Sequence, residues 1–332
     1  MAARLHCPLL SLAGSTILKR ESFVKLELRI LTIRVSYGKD AAMDHNKRNA
    51  LLTAIDVGNM TRAAEQLGYT QSGLSYIIKT LEAEFGFPLL VRSRSGVRPT
   101  ADCMRILPIL RDLHHKSQML EQEVADIRGL AVGAVSVGVF PCISRFWMPT
   151  ILRNFTARYP GITLSIRESG QEDLDQWLRD GSVDLLLYSR QPNYTHQWIQ
   201  FMQDDLCAVV PEGHPLAPCR EIALDQLTGE PFIMEDDAHD HDIPRLLKDS
   251  GFHPNVCWSS KDELAILNMV AAGLGVSVLP GLYLQDMPPG VKALPLVPRA
   301  YRQLGAAMLS LEELSPAARR FLDSAKTTMG VL

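Results

Sequence analysis

The chain has no C-x-x-C pair, no H-E-x-x-H, no strand-to-helix nucleophile elbow, and no uninterrupted apolar run of the about 18 residues that a membrane span needs. Each absence removes a class of protein. The six cysteines, Cys7, Cys103, Cys142, Cys207, Cys219 and Cys257, are scattered. That spacing argues against a zinc cage and against a secreted disulfide framework, and a reducing cytoplasm fits it best. With 46% apolar and 21% charged residues in 332, the composition excludes a disordered or collagen-like chain. The length is enough for two or three domains, each with its own core.

The small net charge of -3 conceals an asymmetry. Residues 1–128 carry 18 Lys+Arg and 13 Asp+Glu, a balance of +5, and the remainder carries 16 and 24, a balance of -8. A polyanionic partner is therefore expected to meet the front of the chain.

Residues 1–42 read as an N-terminal extension, or as sequence upstream of a functional start at Met43. The stretch Leu9 to Leu18 is broken by Ser11, Gly14 and Ser15 and has no convincing cleavage site, so a secretory signal is not expected. From 43 to 102 the pattern predicts three helices and a hairpin. The first helix runs over Asn46–Val57 and closes at Gly58. The second, Thr61–Leu67, is capped by Asn59 or Thr61 and stopped by Gly68, and the third is Gln71–Phe85. In the third, Leu74, Ile77, Ile78, Leu81 and Phe85 form a buried stripe. Gln71, Ser72, Ser75, Tyr76 and Lys79 fall on the other side, as short hydrogen-bonding groups and a cation that a major groove could accept.

Two short strands, Pro88–Val91 and Val97–Thr100, flank a tip that holds Arg92 and Arg94, with Arg98 close behind. Such a wing suits phosphate or minor-groove contacts. Together with Thr61 and Arg62 at the start of the second helix, these residues are the candidate duplex contacts. An ordinary solvated helix face is the alternative for any one of the elements taken alone.

Residues 103–128 continue as a long helix. Ile106, Leu110, Leu113, Ser117, Leu120, Val124 and Ile127 alternate steps of four and three, the seam of a two-stranded coiled coil and a plausible dimer arm. Packing against the chain's own core is the other use of such a stripe. Beyond Gly129, strands alternate with helices in an α/β pattern. It reads as two lobes, 129–206 with 306–332 and 207–305, joined by two crossing strands around a cleft.

At this point several motifs together resemble the LysR-type transcriptional regulators. In the front they are Asn59-Met60-Thr61-Arg62-Ala63-Ala64-Glu65-Gln66-Leu67, Gln71-Ser72, Leu74-Ser75, Leu81-Glu82, Phe85-Gly86-x-Pro88-Leu89 and Arg98-x-Thr100. In the rear they are Phe155-x-x-Arg158-Tyr159-Pro160-Gly161, Gly181-x-x-Asp184, Pro211-x-x-His214-Pro215-Leu216 and Ala272-Gly273-Leu274-Gly275-Val276-x-x-Leu279-Pro280. The resemblance implies a winged helix-turn-helix, a linker helix that dimerises, and a two-lobed effector domain like a periplasmic solute-binding protein. It further implies binding to double-stranded promoter DNA, a homotetramer built as a dimer of dimers, and no enzymatic activity, cofactor, metal or membrane partner. RNA polymerase remains open as a partner. Two positions depart from the family pattern: Tyr76 stands where many members carry Arg, and Cys142 where a hydroxyl residue often meets the ligand.

In the matching positions the effector cleft is lined by Pro141, Cys142 and Ser144 after the first strand and by Ser169 and Gln171 after the second. Both turns lead into helix N-termini that favour a small acid. Across the cleft, the run 235–242 holds five acids and two histidines. If Asp236, Asp237 and His239 point inward they favour an amine or another cation, and otherwise the run is a solvated acidic loop that caps the next helix. A metal-dependent or solute-binding protein that uses the two lobes alone is the competing class. A redox pair of Cys207 and Cys219 has little support, because nothing cationic flanks Cys207 to lower its pKa.

Overall fold

The computed structural model describes residues 44–331 apart from 94–95, 193 and 236–241. The chain divides into two compact units, one ending at Cys103 and the other beginning at Met104.

The front unit is built from α1 (His45–Val57), α2 (Met60–Gln66), α3 (Gln71–Phe85) and the hairpin β1 (Leu90–Ser93) with β2 (Gly96–Pro99). Side-chain caps set the helix starts. Asp44 accepts from the Asn46 amide, Asn59 from those of Thr61 and Arg62, and Thr70 from that of Gly73. Each satisfies donors that the first helical turn leaves without a partner. Ala63 and Ala64 are fully buried, which lets α2 approach α3, and Leu51, Leu74, Ile78, Leu81 and Leu89 complete the core.

The wing is fixed at both ends. Glu82, on the inner side of α3, accepts from the Leu89 and Leu90 amides at 2.8 and 3.2 Å. At the tip, the Val97 amide donates to Gly58 O at 2.9 Å. Gly96 has φ 121°, and a Cβ there would sit 2.2 Å from that same Gly58 oxygen, so only glycine fits at this position. Thr100 closes the unit: its hydroxyl donates to Pro88 O and accepts from the Cys103 amide, starting the next helix.

That helix, α4 (Ala101–Ile127), has two dissimilar faces. Leu107, Leu110, Arg111 and Gln122 are buried, whereas Leu113, Leu120, Val124 and Ile127 are 47%, 66%, 42% and 85% exposed. The first face docks on the rear unit. Gln122 donates to Ala134 O and accepts from the Ala317 amide, Asp126 pairs with Arg320, and His115 Nδ1 lies 3.3 Å from Asp184 Oδ1. Asp184 also accepts from the Ser136 amide at 2.6 Å, so one carboxylate ties the linker helix to the first strand of the sheet.

In the rear unit, β3 (Gly133–Val139) lies between β4 (Ile162–Glu168) and β5 (Leu185–Ser189), parallel to both. The antiparallel β11 (Tyr301–Met308) pairs with β5 and with β6 (Gln197–Pro211). β6 is 15 residues long. Its first part pairs with β11, and its last part with β9 (Ser277–Pro280) and β10 (Val291–Pro295). β6 and β11 therefore carry the chain between two apolar cores. One core is built around Val137, Phe155, Leu186 and Phe321, together with α5 (Pro141–Phe146), α6 (Met148–Arg158), α7 (Gln171–Arg179) and α10 (Pro316–Thr328). The other half holds Leu206, Phe232, Ile243, Ile266 and Leu279, with β7 (Pro231–Glu235), α8 (Asp242–Ser250), β8 (Asn255–Ser260) and α9 (Glu263–Ala271).

Two local expectations change. The alternation of strands and helices predicts one helix over Ser144–Arg158, but two helices, α5 and α6, form and meet at Trp147. Pro149 falls in the first turn of α6 and has no amide to continue α5. The apolar run Leu206–Val210 predicts a short strand, but β6 begins well before it, at Gln197, and β10 pairs with its end as a further strand. Gln197, Gln200, Gln203, Asp204 and Asp205 interrupt the apolar pattern of the first part of β6, which β11 nevertheless pairs along its length. Among the described residues no helix is long and apolar enough to cross a membrane.

Candidate functional site

Two arrangements of polar side chains stand out, one in each unit. In the front, Thr61, Arg62, Gln71, Ser72, Tyr76 and Lys79 are exposed on α2 and α3, and Arg92 and Arg98 are exposed on the wing. Tyr76 is 74% exposed, far more than an aromatic ring reaches when it belongs to a core. Ser75 is where helix and wing meet: its Oγ accepts from Gln71 Nε2 at 3.3 Å and from Arg92 Nη1 at 3.4 Å. Apart from the half-buried Ser75, the expected duplex-facing residues that the structure describes are thus exposed, and the pairing of Val91 with Arg98 and of Arg92 with Val97 turns Arg92 and Arg98 to opposite faces of the hairpin. Arg94 lies outside the described residues. Glu82, the nearest acid on α3, is turned inward to the Leu89 and Leu90 amides and leaves the exposed face of α3 without it.

In the rear unit, Gln171 starts α7 and is only 2% exposed. Neither its amide oxygen nor its amide nitrogen has a hydrogen-bond partner. A buried amide in that state costs stability until something satisfies it. It lines a cavity of about 480 Å³ with Glu172, Asp175, Arg179, Gln191, Tyr194, His196 and Arg245. There Asp175 accepts from His196 Nε2 at 2.7 Å and from Arg179 at 2.5 Å. Burial pushes the Tyr194 hydroxyl up to about 12, so it stays a neutral hydrogen-bonding group.

The other expected cleft residues are placed differently. Pro141 opens α5, and Cys142 behind it is fully buried, its Sγ accepting from Arg302 Nη2 at 3.3 Å. Ser144 is half-buried on the same helix, and the Ser169 hydroxyl donates to Asp173 at 2.6 Å. None of these four lines the cavity below Gln171. Asp236, Asp237 and His239 lie outside the described residues, and among the described residues no group of three or more His, Cys, Asp or Glu side chains could hold a metal ion. Cys207 is half-buried, and burial followed by the charges of Asp205 and Asp204 raises its thiol to about 11, the reverse of a reactive cysteine.

Sequence reasoning missed the buried cluster between the two halves. Arg302, 1% exposed, donates from Nε to Asp204 at 2.9 Å, and Asp204 also accepts from the Leu282 amide at 2.8 Å. The available signal was a charge in each of two crossing strands, Asp204 in β6 and Arg302 in β11, at positions where an exposed edge does not explain them. Beside this pair, Arg190, Gln191, Arg245, Tyr301, Arg302 and Gln303 line a second cavity of about 340 Å³.

Comparison with known proteins gives these features a context. Residues 46–104 match the family model for the bacterial regulatory helix-turn-helix protein, lysR family, and residues 128–330 match that for the LysR substrate binding domain. The chain is 29% identical over 280 residues to the uncharacterized HTH-type transcriptional regulator YvbU of Bacillus subtilis, covering 83% of this chain and 95% of the relative. It is 30% identical over 288 residues to the probable HTH-type transcriptional regulator LrrA of Synechococcus elongatus, covering 86% and 97%. Among solved structures, full-length OxyR from Pseudomonas aeruginosa superposes with a TM-score of 0.70 at 23% identity, over 86% of this chain and 95% of that one, a likeness of fold.

Proposed function

Because the chain belongs to the LysR family of transcriptional regulators, which bind DNA and are not enzymes, we propose that it acts in the cytoplasm as an effector-gated regulator at promoter DNA. The observation that carries the DNA half is the exposed polar face of Gln71, Ser72, Tyr76 and Lys79, which Arg92 of the wing reaches through Ser75. Arginines on the wing neutralise phosphates and set register, while the short polar groups of α3 read base edges. Tyr76 supplies a ring and a hydroxyl in the position where a guanidinium would make a bidentate contact to guanine, so base preference at that step differs from an arginine reader's.

The unpartnered, buried Gln171 amide supports a small-molecule effector in the rear unit. It offers one donor and one acceptor side by side, the complement of a carboxylic acid or primary amide. An effector that binds two arrangements of the lobes with unequal affinity shifts their balance, with coupling of about 1–3 kcal/mol. The exposed seam Leu113, Leu120, Val124 and Ile127 supports dimerisation through α4, with a tetramer as a pair of such dimers. A solute-binding or metal-dependent protein built on the lobes alone is not favoured, because it leaves the front face without a role.

A thermal-shift screen with small carboxylates, amines and divalent metals, followed by anisotropy on a duplex from the chain's own upstream region, tests this. Stabilisation by one class together with a change in duplex affinity is expected. Duplex binding that no stabilising ligand alters would defeat the gating reading.

A further inference from the structure

Ser75 stands among the expected base readers of α3, yet it is half-buried where Gln71, Ser72, Tyr76 and Lys79 around it are exposed. Its hydroxyl oxygen is shared. Gln71, one turn earlier on the helix, donates its Nε2 to it at 3.3 Å, and Arg92 donates its Nη1 from the wing at 3.4 Å. A hydroxyl oxygen accepts at two lone pairs, so both are taken and none is left for a donor on a base edge.

The strand register explains why Arg92 arrives there. Arg92 pairs with Val97 and follows Leu90 by two residues, so the three share one face of the hairpin, and Leu90 and Val97 are buried on it. The backbone of the wing is held separately, by Glu82 at the Leu89 and Leu90 amides and by Gly58 O at the Val97 amide. These contacts fix the strands but not the long side chain of Arg92, whose guanidinium Ser75 ties to α3. Only one of its five N–H groups is needed for that, which leaves four for a phosphate. The Gln71 amide is oriented by the same oxygen. One of its N–H groups goes to Ser75, and the other, with Oε1, makes the donor and acceptor pair that fits N7 and N6 of adenine in a major groove.

We propose that Ser75 is a positioning residue that reads no base. It sets the Gln71 amide for an adenine and the Arg92 guanidinium for a phosphate, so that α3 and the wing meet the duplex in one register. Base preference then depends on a side chain that never touches a base. The proposal rests on the duplex-binding reading above.

The test titrates the full-length protein against a duplex from its own upstream region and against every single-base-pair variant of that duplex. Gln71→Ala should mark the A·T pair that Gln71 reads. Ser75→Ala should lower the preference at that same pair by about 2–10-fold, the worth of one hydrogen bond. Ser75→Thr, which keeps the hydroxyl, should restore it. Adding Ser75→Ala to Gln71→Ala should change the preference no further, and Arg92→Ala should cost less affinity in the Ser75→Ala background than in the wild type. A preference that Ser75→Ala removes at a pair of its own, and still removes in the Gln71→Ala background, makes Ser75 a reader and overturns the proposal. Equal behaviour of Ser75→Ala and Ser75→Thr also overturns it, because the hydroxyl is then idle. All the substitutions fall at exposed or half-buried positions, and matched thermal melts separate lost contacts from lost fold. A wild type that binds no duplex at low salt defeats the duplex-binding reading itself, and the proposal with it.

Discussion

The face of α3 and the junction around Arg302 use similar side chains to opposite ends. On α3 and the wing, Gln71, Ser72, Lys79, Arg92 and Arg98 are exposed and lightly paired. They are free to exchange water for phosphates and bases at low cost. Around Arg302, the charges of Asp204, Asp242 and Arg302 are each about 1% exposed and tied to one another. A buried charge that loses its partner is expensive, so each member of the junction depends on the others. The front is open to a partner from outside, and the junction is satisfied from within the chain.

Arg302→Met breaks the contrast most severely. It leaves Asp204 buried without its guanidinium, where burial already pushes the carboxyl above its ordinary range against the pull of Arg302. A loss of about 3–5 kcal/mol is expected in denaturant unfolding of the rear unit, with the front unit unfolding as before. A loss below about 1 kcal/mol would show that solvent reaches the pair.

Next in size is the exposed seam of α4. Leu120→Glu with Val124→Glu should shift sedimentation from dimer or tetramer to monomer while leaving the thermal stability of the rear unit nearly unchanged, because both side chains are exposed in the single chain. An unaltered oligomer would move the interface elsewhere.

A smaller effect sharpens the front. Arg92→Ala or Arg98→Ala should weaken binding to every duplex and lower the slope of log affinity against log salt by about 0.9 for each phosphate that is no longer neutralised. Ser72→Ala and Tyr76→Arg should instead change the ranking of duplex sequences. A uniform loss from those two would remove α3 from base reading.

The smallest concerns the docking of α4. The hydrogen bond to Asp184 is the largest influence raising the His115 pKa, with burial opposing it and the Asp184 charge adding to it. A raised folded-state pKa contributes stability that is fully present below the unfolded value of about 6.5 and is lost as pH rises through the folded value. The wild type should therefore lose stability relative to His115→Gln as pH rises above about 6.5 in paired thermal melts. Parallel pH profiles would show that the pairing is idle.

The same contrast explains what the sequence made legible. α3, the Asn59 cap of α2, the wing and the α4 seam are local patterns, in which neighbours a few residues apart settle both shape and exposure. The seam is exposed, as its spacing suggests, at Leu113, Leu120, Val124 and Ile127 but not at Leu110, which is buried against the chain itself. Periodicity marks a stripe and not its partner. The junction joins Asp204 to Arg302 across 98 positions, Ser189 to Asp242 across 53 and Cys142 to Arg302 across 160. No window of the sequence spans such a meeting. Gln171 was named by resemblance alone, and its significance, a buried amide with nothing to bond, exists only in three dimensions.

The decisive measurement is a salt titration of the full-length protein on a duplex carrying its own upstream region, run beside the Leu120→Glu, Val124→Glu variant. A dimer or tetramer should bind with affinity that falls linearly in log salt, and the variant should lose most of that affinity along with its partner. Equal binding by wild type and monomeric variant, or an affinity that salt leaves untouched, would contradict a paired reader of duplex DNA.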